Sequence, residues 1–179
     1  ANGEGKSTFM NIILGKVMPD EGKVEWSSRV RVGYLDQHSS INNGQTIKQV
    51  LEGAFSYLFD LEKELLEIGD KMGTASTQEL ESLMKDMGNI QDVLDSSGFY
   101  TIDIKIQEVA SGLGLKDLGL DKDAEDLSGG QRSKLLMAKL LLEKPDILLL
   151  DEPTNYLDEV HIEWLKRYLQ SYENAFILI

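Results

Sequence analysis

An α/β fold on a parallel sheet is predicted by three features of this 179-residue chain. Residues 147–150 are four consecutive apolar side chains, Ile-Leu-Leu-Leu, as in a central parallel strand buried on both faces. Strand and helix patterns alternate after residue 128. A glycine-rich turn, Gly3-Glu4-Gly5-Lys6, opens directly into a helical run.

The elements follow in order. Residues 8–14 read as a helix. Pro19-Asp20-Glu21-Gly22 is a turn. Residues 23–26 alternate polar and apolar and predict a strand; residues 30–35 predict another after a Ser27-Ser28 turn, together a small antiparallel part. Residues 41–50 read as a polar loop leading into a helix. Leu58, Leu61, Leu65, Ile68 and Met72 are spaced 3, 4, 3, 4, and Leu80, Leu83, Met87, Ile90 and Leu94 repeat that spacing. These are two short heptad seams. Ser76 with Glu79 forms a capping box after a polar turn, so the segment predicts an antiparallel helical hairpin. Two amphipathic helices packed on a globular core are the plainer alternative. Residues 51–108 carry thirteen acidic against four basic side chains, which favours solvent exposure. Residues 101–113 read as helix, followed by a turn through Gly114 and Gly119. Residues 132–142 are strongly helical up to Pro145, residues 161–169 form an amphipathic helix, and 175–179 are an apolar strand. The core is thus expected in 1–50 and 109–179, with 109–145 as its helical part and 51–108 as an insertion.

Composition bounds the function. Net charge is −13, which argues against a generic nucleic-acid binder, since such binders neutralise phosphates with basic residues. Cysteine is absent, so disulfides and thiolate metal sites are excluded. No apolar run reaches the ~18 residues of a membrane span, and a cytoplasmic setting without membrane insertion is expected.

Three motifs carry the chemistry. Gly5-Lys6-Ser7 completes the phosphate-loop pattern Gly-x-x-x-x-Gly-Lys-Ser/Thr, whose first glycine would precede Ala1. The chain therefore reads as part of a longer protein. Glycines 3 and 5 let the backbone curl so that N–H groups across Asn2, Gly3, Glu4, Gly5, Lys6, Ser7 and Thr8 face phosphate oxygens. Lys6 would reach the β and γ phosphates and the Ser7 hydroxyl a Mg²⁺ ion. Asp151 ends the apolar strand and is placed to hold that Mg²⁺; Glu152 is placed to orient and deprotonate the attacking water. Alone, an Asp-Glu pair at a strand end is more often a solvated loop. Between these pieces lies Leu127-Ser128-Gly129-Gly130-Gln131.

The set resembles the ATP-binding cassette superfamily. The resemblance implies a P-loop nucleotide-binding domain that binds and hydrolyses ATP with Mg²⁺, and covers nearly the whole chain. Ser128, Gly129, Gly130 and Gln131 match the signature motif, which in that family faces ATP held by an opposing cassette. Gln37 matches the Q-loop glutamine that senses Mg²⁺ and the attacking water. Asp158 matches the D-loop aspartate at the dimer seam. The adenine-stacking aromatic and the switch histidine are missing from the chain; His161 precedes the last strand and is not that histidine, and His38 is given a local hydrogen-bonding role. The heptad insertion and Asp151-Glu152-Pro153-Thr154-Asn155-Tyr156-Leu157-Asp158 resemble the ABC-F subfamily, with Tyr156 where that group carries histidine. This implies the arm-bearing first cassette of a two-cassette protein, partnered by the second cassette and by the ribosome and tRNA. A transporter's nucleotide-binding domain and a nonhydrolysing scaffold are the competing readings.

Overall fold

The apolar run at 147–150 forms the middle strand of a three-stranded parallel sheet. A computed structural model describes residues 5–35 and 41–179. In chain order the elements are α1 (Lys6–Ile13), β1 (Val32–Tyr34), α2 (Ile47–Glu52), α3 (Ser56–Met72), α4 (Thr77–Ser96), α5 (Ile102–Gly112), α6 (Gly129–Glu143), β2 (Ile147–Leu150), α7 (Glu159–Gln170) and β3 (Ala175–Leu178). β2 pairs in parallel with β1, in register Val32–Ile147, and with β3, in register Leu150–Leu178.

Successive side chains of a strand point to opposite faces. In β2, Leu149 packs with Met10 and Ile13 of α1, whereas Leu148 and Leu150 belong to the main core with α5, α6 and α7. The sheet is therefore covered on both faces, as its unbroken apolar run requires. α6 is buried around most of its girth through Leu135, Leu136, Met137, Ala138, Leu140, Leu141 and Leu142. A Cβ on Gly112 at the end of α5 would collide with the Trp164 ring, so glycine there lets α5 and α7 approach. Tyr168 donates its hydroxyl to the Leu141 carbonyl at 2.8 Å, and burial pushes that phenol up to about 12. Tyr172 likewise donates to the Pro145 carbonyl at 2.7 Å, so α7 is clamped to the end of α6 and the entry to β2.

The expected antiparallel part is corrected. Residues 23–26 join no ladder among the described residues; Trp26 instead donates its indole N–H to the Ile13 carbonyl at 3.0 Å. Of the second expected strand, 30–35, only Val32–Tyr34 forms, and its neighbour is the parallel β2. A strand needs a partner as well as an alternating pattern, and local pattern does not supply one. The one antiparallel pairing among the described residues is a single bridge between Thr46 and Asp123.

The hairpin of α3 and α4 forms as the heptads predict. Leu58, Ile68, Ile90 and Leu94 are buried, and Leu61, Leu65, Met72 and Leu83 are packed against the same core. Met87 departs from the seam and is 36% exposed. Ser76 starts α4 by donating its N–H and hydroxyl to the Glu79 carboxylate at 2.9 and 2.6 Å. Positions 51 and 108, the expected insertion bounds, fall inside α2 and α5, whose Leu51 and Ile106 are fully buried in the main core. The hairpin proper is 56–96.

Candidate functional site

At the carboxyl end of β2 the chain makes a sharp turn that carries both expected carboxylates. Asp151 is half-buried, and its Oδ1 is buried with no hydrogen-bond partner among the described residues. A buried carboxylate oxygen without a donor is costly unless something else supplies one. Glu152 sits in the left-handed region at φ 45, unusual for a residue with a Cβ. Its N–H donates to the Ile179 carbonyl at 2.8 Å, joining this turn to the end of β3. Asn155 then grips it twice: its N–H donates to the Glu152 carbonyl at 3.2 Å, and its Nδ2 donates to Glu152 Oε2 at 2.9 Å. Nothing in the sequence marked the left-handed backbone, although exclusion of the ordinary helical region before Pro153 was a hint.

α1 starts on the face of the sheet that Leu149 presents. Its N-cap is Gly5 at φ 79, and an added Cβ there would meet no atom within 4 Å. Gly5 has no side chain to bond the first helix amides, so these N–H groups remain available to a ligand. Lys6 is the first helical residue and is exposed, as is Thr8. The backbone of Ser7 lies in α1; its side chain, and the expected ligands Asn2, Gly3, Glu4 and Gln37 with neighbouring His38, lie outside the described residues.

α6 starts on the other face, and its start is closed by its own side chains. Ser128 Oγ accepts from the Gln131 N–H at 3.3 Å, and Gln131 Oε1 accepts from the Ser128 N–H at 3.0 Å. The expected ligand Gln131 is thus occupied in a capping box, while Gly129 and Gly130 lie exposed and half-buried. A Cβ on Gly130 would stand 3.8 Å from the Tyr156 ring, so the motif rests on the same short 3₁₀ turn, Pro153–Tyr156, that holds Glu152. Asp158 caps α7 by accepting from the His161 N–H at 3.1 Å, and that bond holds its carboxyl below the usual range. His161 Nδ1 also lies 2.7 Å from Asp158 Oδ1. Sequence reasoning placed Asp158 at a dimer seam and did not foresee its role as a cap.

Asp151 and Glu152 thus follow the carboxyl end of β2, with α1, which begins at Lys6, on one face of the sheet and α6, which Ser128, Gly129 and Gly130 open, on the other. The family model described as ABC transporter matches residues 1–155. An uncharacterized ABC transporter ATP-binding protein, YfmM of Bacillus subtilis, is 68% identical over 179 residues, covering 100% of this chain and 35% of the relative. The energy-dependent translational throttle protein EttA of Escherichia coli K12 is 32% identical over 178 residues, covering 99% of this chain and 32% of the relative. Among solved structures, archaeal ribosome recycling factor aABCE1, in complex with the ribosomal stalk protein aP1, is similar with TM-score 0.58 and 25% identity, covering 99% of this chain and 27% of that one. The chain spans about a third of the length of the curated relatives it matches.

Proposed function

The chain belongs to the ABC transporter family of ATP-binding domains, and from that premise we propose that it is an ATP-hydrolysing cassette that closes face to face on a second cassette. One observation carries this. The uncapped start of α1 and the glycine-bearing start of α6 lie on opposite faces of the sheet, so one chain does not fold its signature over its own cradle. A second cassette supplies the missing half of each site.

Within one site, the α1 amides and Lys6 hold the β and γ phosphates. A Mg²⁺ ion fits the orphaned Asp151 Oδ1; that carboxylate, with the Ser7 hydroxyl and Gln37, would hold it. Mg²⁺ is commonly bound by one or two carboxylates plus substrate phosphates, and among the described residues no larger cage of His, Asp and Glu exists. When bound, it would supply positive charge against that building on the transferring phosphoryl group. Glu152 accepts the proton of the attacking water, whose oxygen bonds to the γ-phosphorus as the bond to the β–γ bridging oxygen breaks. ADP leaves with that electron pair. Ser128, Gly129 and Gly130 serve the opposite site, and Asp158 lies at the seam.

We assign the whole protein to the ABC-F type, acting in the cytoplasm on the ribosome, with residues 51–108 as the insertion and the 56–96 hairpin as the arm that reports closure. The likeness to a translational throttle protein and to a ribosome recycling factor supports this reading. A transporter subunit is the second reading, favoured by the 68% identity to an uncharacterized ABC transporter ATP-binding protein. No described helix is long and apolar enough to cross a membrane.

Glu152→Gln in the full-length protein tests both. It should keep ATP binding, stop turnover and trap the closed state, so that the protein migrates with ribosomes in a sucrose gradient only when ATP is present. Recovery in membranes instead would select the transporter reading. Normal turnover by the variant would remove Glu152 from the reaction.

A further inference from the structure

We propose that Asn155 is a positioning residue that fixes the Glu152 carboxylate for attack on ATP. The proposal rests on the reading of Glu152 as the group that takes the water's proton.

An exposed glutamate on a turn is a poor base unless something restrains it. Its terminal torsion is broad, and ordering such a side chain costs rotamer entropy. Here the restraint is visible. The backbone of residue 152 is held in a conformation that residues with a Cβ rarely adopt, at φ 45 and ψ 51. Among the described residues one other non-glycine has a positive φ, Lys144, and it sits at the C-terminal end of α6, where left-handed residues ordinarily end helices. Glu152 has no such excuse, so its conformation is maintained by its contacts.

Asn155 supplies two of them. Its backbone N–H closes on the Glu152 carbonyl at 3.2 Å, and its side-chain Nδ2 donates to Oε2 at 2.9 Å. The second bond occupies one carboxylate oxygen and leaves Oε1 for the water. Asn155 itself is anchored. It lies in a single 3₁₀ turn between two buried side chains, Pro153 and Leu157, closed by the Leu157 N–H on the Thr154 carbonyl at 3.0 Å. Its neighbour Tyr156 lies against Gly130. Asn155 is exposed, so its hold on Glu152 rests on the closed turn beneath it; a proton acceptor must be closely aligned with its water, and misplacement by about 1 Å can cost on the order of 100-fold in rate. A merely structural asparagine would stabilise the turn and leave the rate alone.

The test uses the full-length protein carrying Asn155→Ala, Asn155→Asp or Asn155→Ser, each alone and combined with Glu152→Gln, with turnover, ATP KM and Tm measured. Asp has the shape of Asn but presents a second carboxylate instead of a donor, whereas Ser keeps a donor. Asn155→Ala and Asn155→Asp should lower kcat about tenfold or more, with KM within about twofold and Tm unchanged, and Asn155→Ser should recover part of the loss. In the Glu152→Gln background, followed as single turnovers over hours, removing Asn155 should add nothing. An unchanged kcat for Asn155→Ala, an equal loss in both backgrounds, or a fall in Tm that tracks the fall in kcat would overturn the positioning role. Normal turnover by Glu152→Gln alone would instead overturn the underlying reading of Glu152.

Discussion

α1 and α6 pack on opposite faces of one sheet, and their starts are finished in opposite ways. α6 is closed by a reciprocal pair, Ser128 with Gln131, and the same device closes α2 through Thr46 with Gln49 and α4 through Ser76 with Glu79. α1 begins on a left-handed glycine with no side chain to offer. Side chains close α2, α4, α6 and α7, and α3 and α5 run on from 3₁₀ turns at 53–55 and 99–101 without a side-chain cap; α1 has neither, and its amides are the ones proposed to face a ligand. α6 is the informative intermediate. Its box engages the Gln131 N–H, but Gly129 and Gly130 carry no side chains over the remaining donors. It can be both a finished helix and a phosphate-facing edge.

The largest effect that tests this contrast comes from α1. Lys6→Ala should weaken ATP binding by about 100-fold or more, the scale of a lost charge-assisted contact of roughly 3 kcal/mol. Stability should hardly change, because Lys6 is exposed. Calorimetry of the full-length protein with a nonhydrolysable analogue measures it. Undiminished affinity would make α1 an ordinary helix and dissolve the contrast.

The next effect separates capping from phosphate contact at α6. Ser128→Ala should cost about 1 kcal/mol in urea unfolding, as lost N-caps do. Ser128→Asp retains a good cap but sets a negative charge where an opposing γ-phosphate is expected. Its stability should stay near wild type while turnover falls about tenfold or more. Full turnover by Ser128→Asp would leave the signature a cap and nothing else.

How far the sequence carried this picture follows from the range of each interaction. The capping box at Ser76, the buried strand at 147–150 and the heptad seams are written in residues a few places apart, and all three appear. The strand at 23–26 failed because ladder partners are distant in sequence. Gly112 gave no signal, because its meaning is the Trp164 ring brought to it by α7. At the site, Asp151 and Glu152 were legible from position at a strand end. The Asn155 contact was not, although Asn155 stood inside the quoted motif, because hydrogen bonding across a 3₁₀ turn depends on the left-handed backbone of Glu152.

The smallest effect lies at α4, where the same box is built with an ionisable partner. The Ser76 hydroxyl, and after it the Ser76 N–H, hold the Glu79 carboxyl below its ordinary value of 4.5. A depressed carboxylate contributes stability that is present above the unfolded value and is lost as pH falls through the folded value. The start of α4 should therefore be intact from neutral pH down to about 4.5 and loosen below it. Because Glu79 is exposed, the effect is local fraying and not unfolding. The Ser76 amide resonance reports it directly: its titration midpoint should lie below 4.5. Glu79→Gln keeps the box in the form already used by Gln49 and Gln131, and should abolish the titration while leaving ATP turnover untouched. A midpoint at or above 4.5 would mean that the reciprocal bond does not persist in solution, and that α4, unlike α6, is held by the hairpin seam alone.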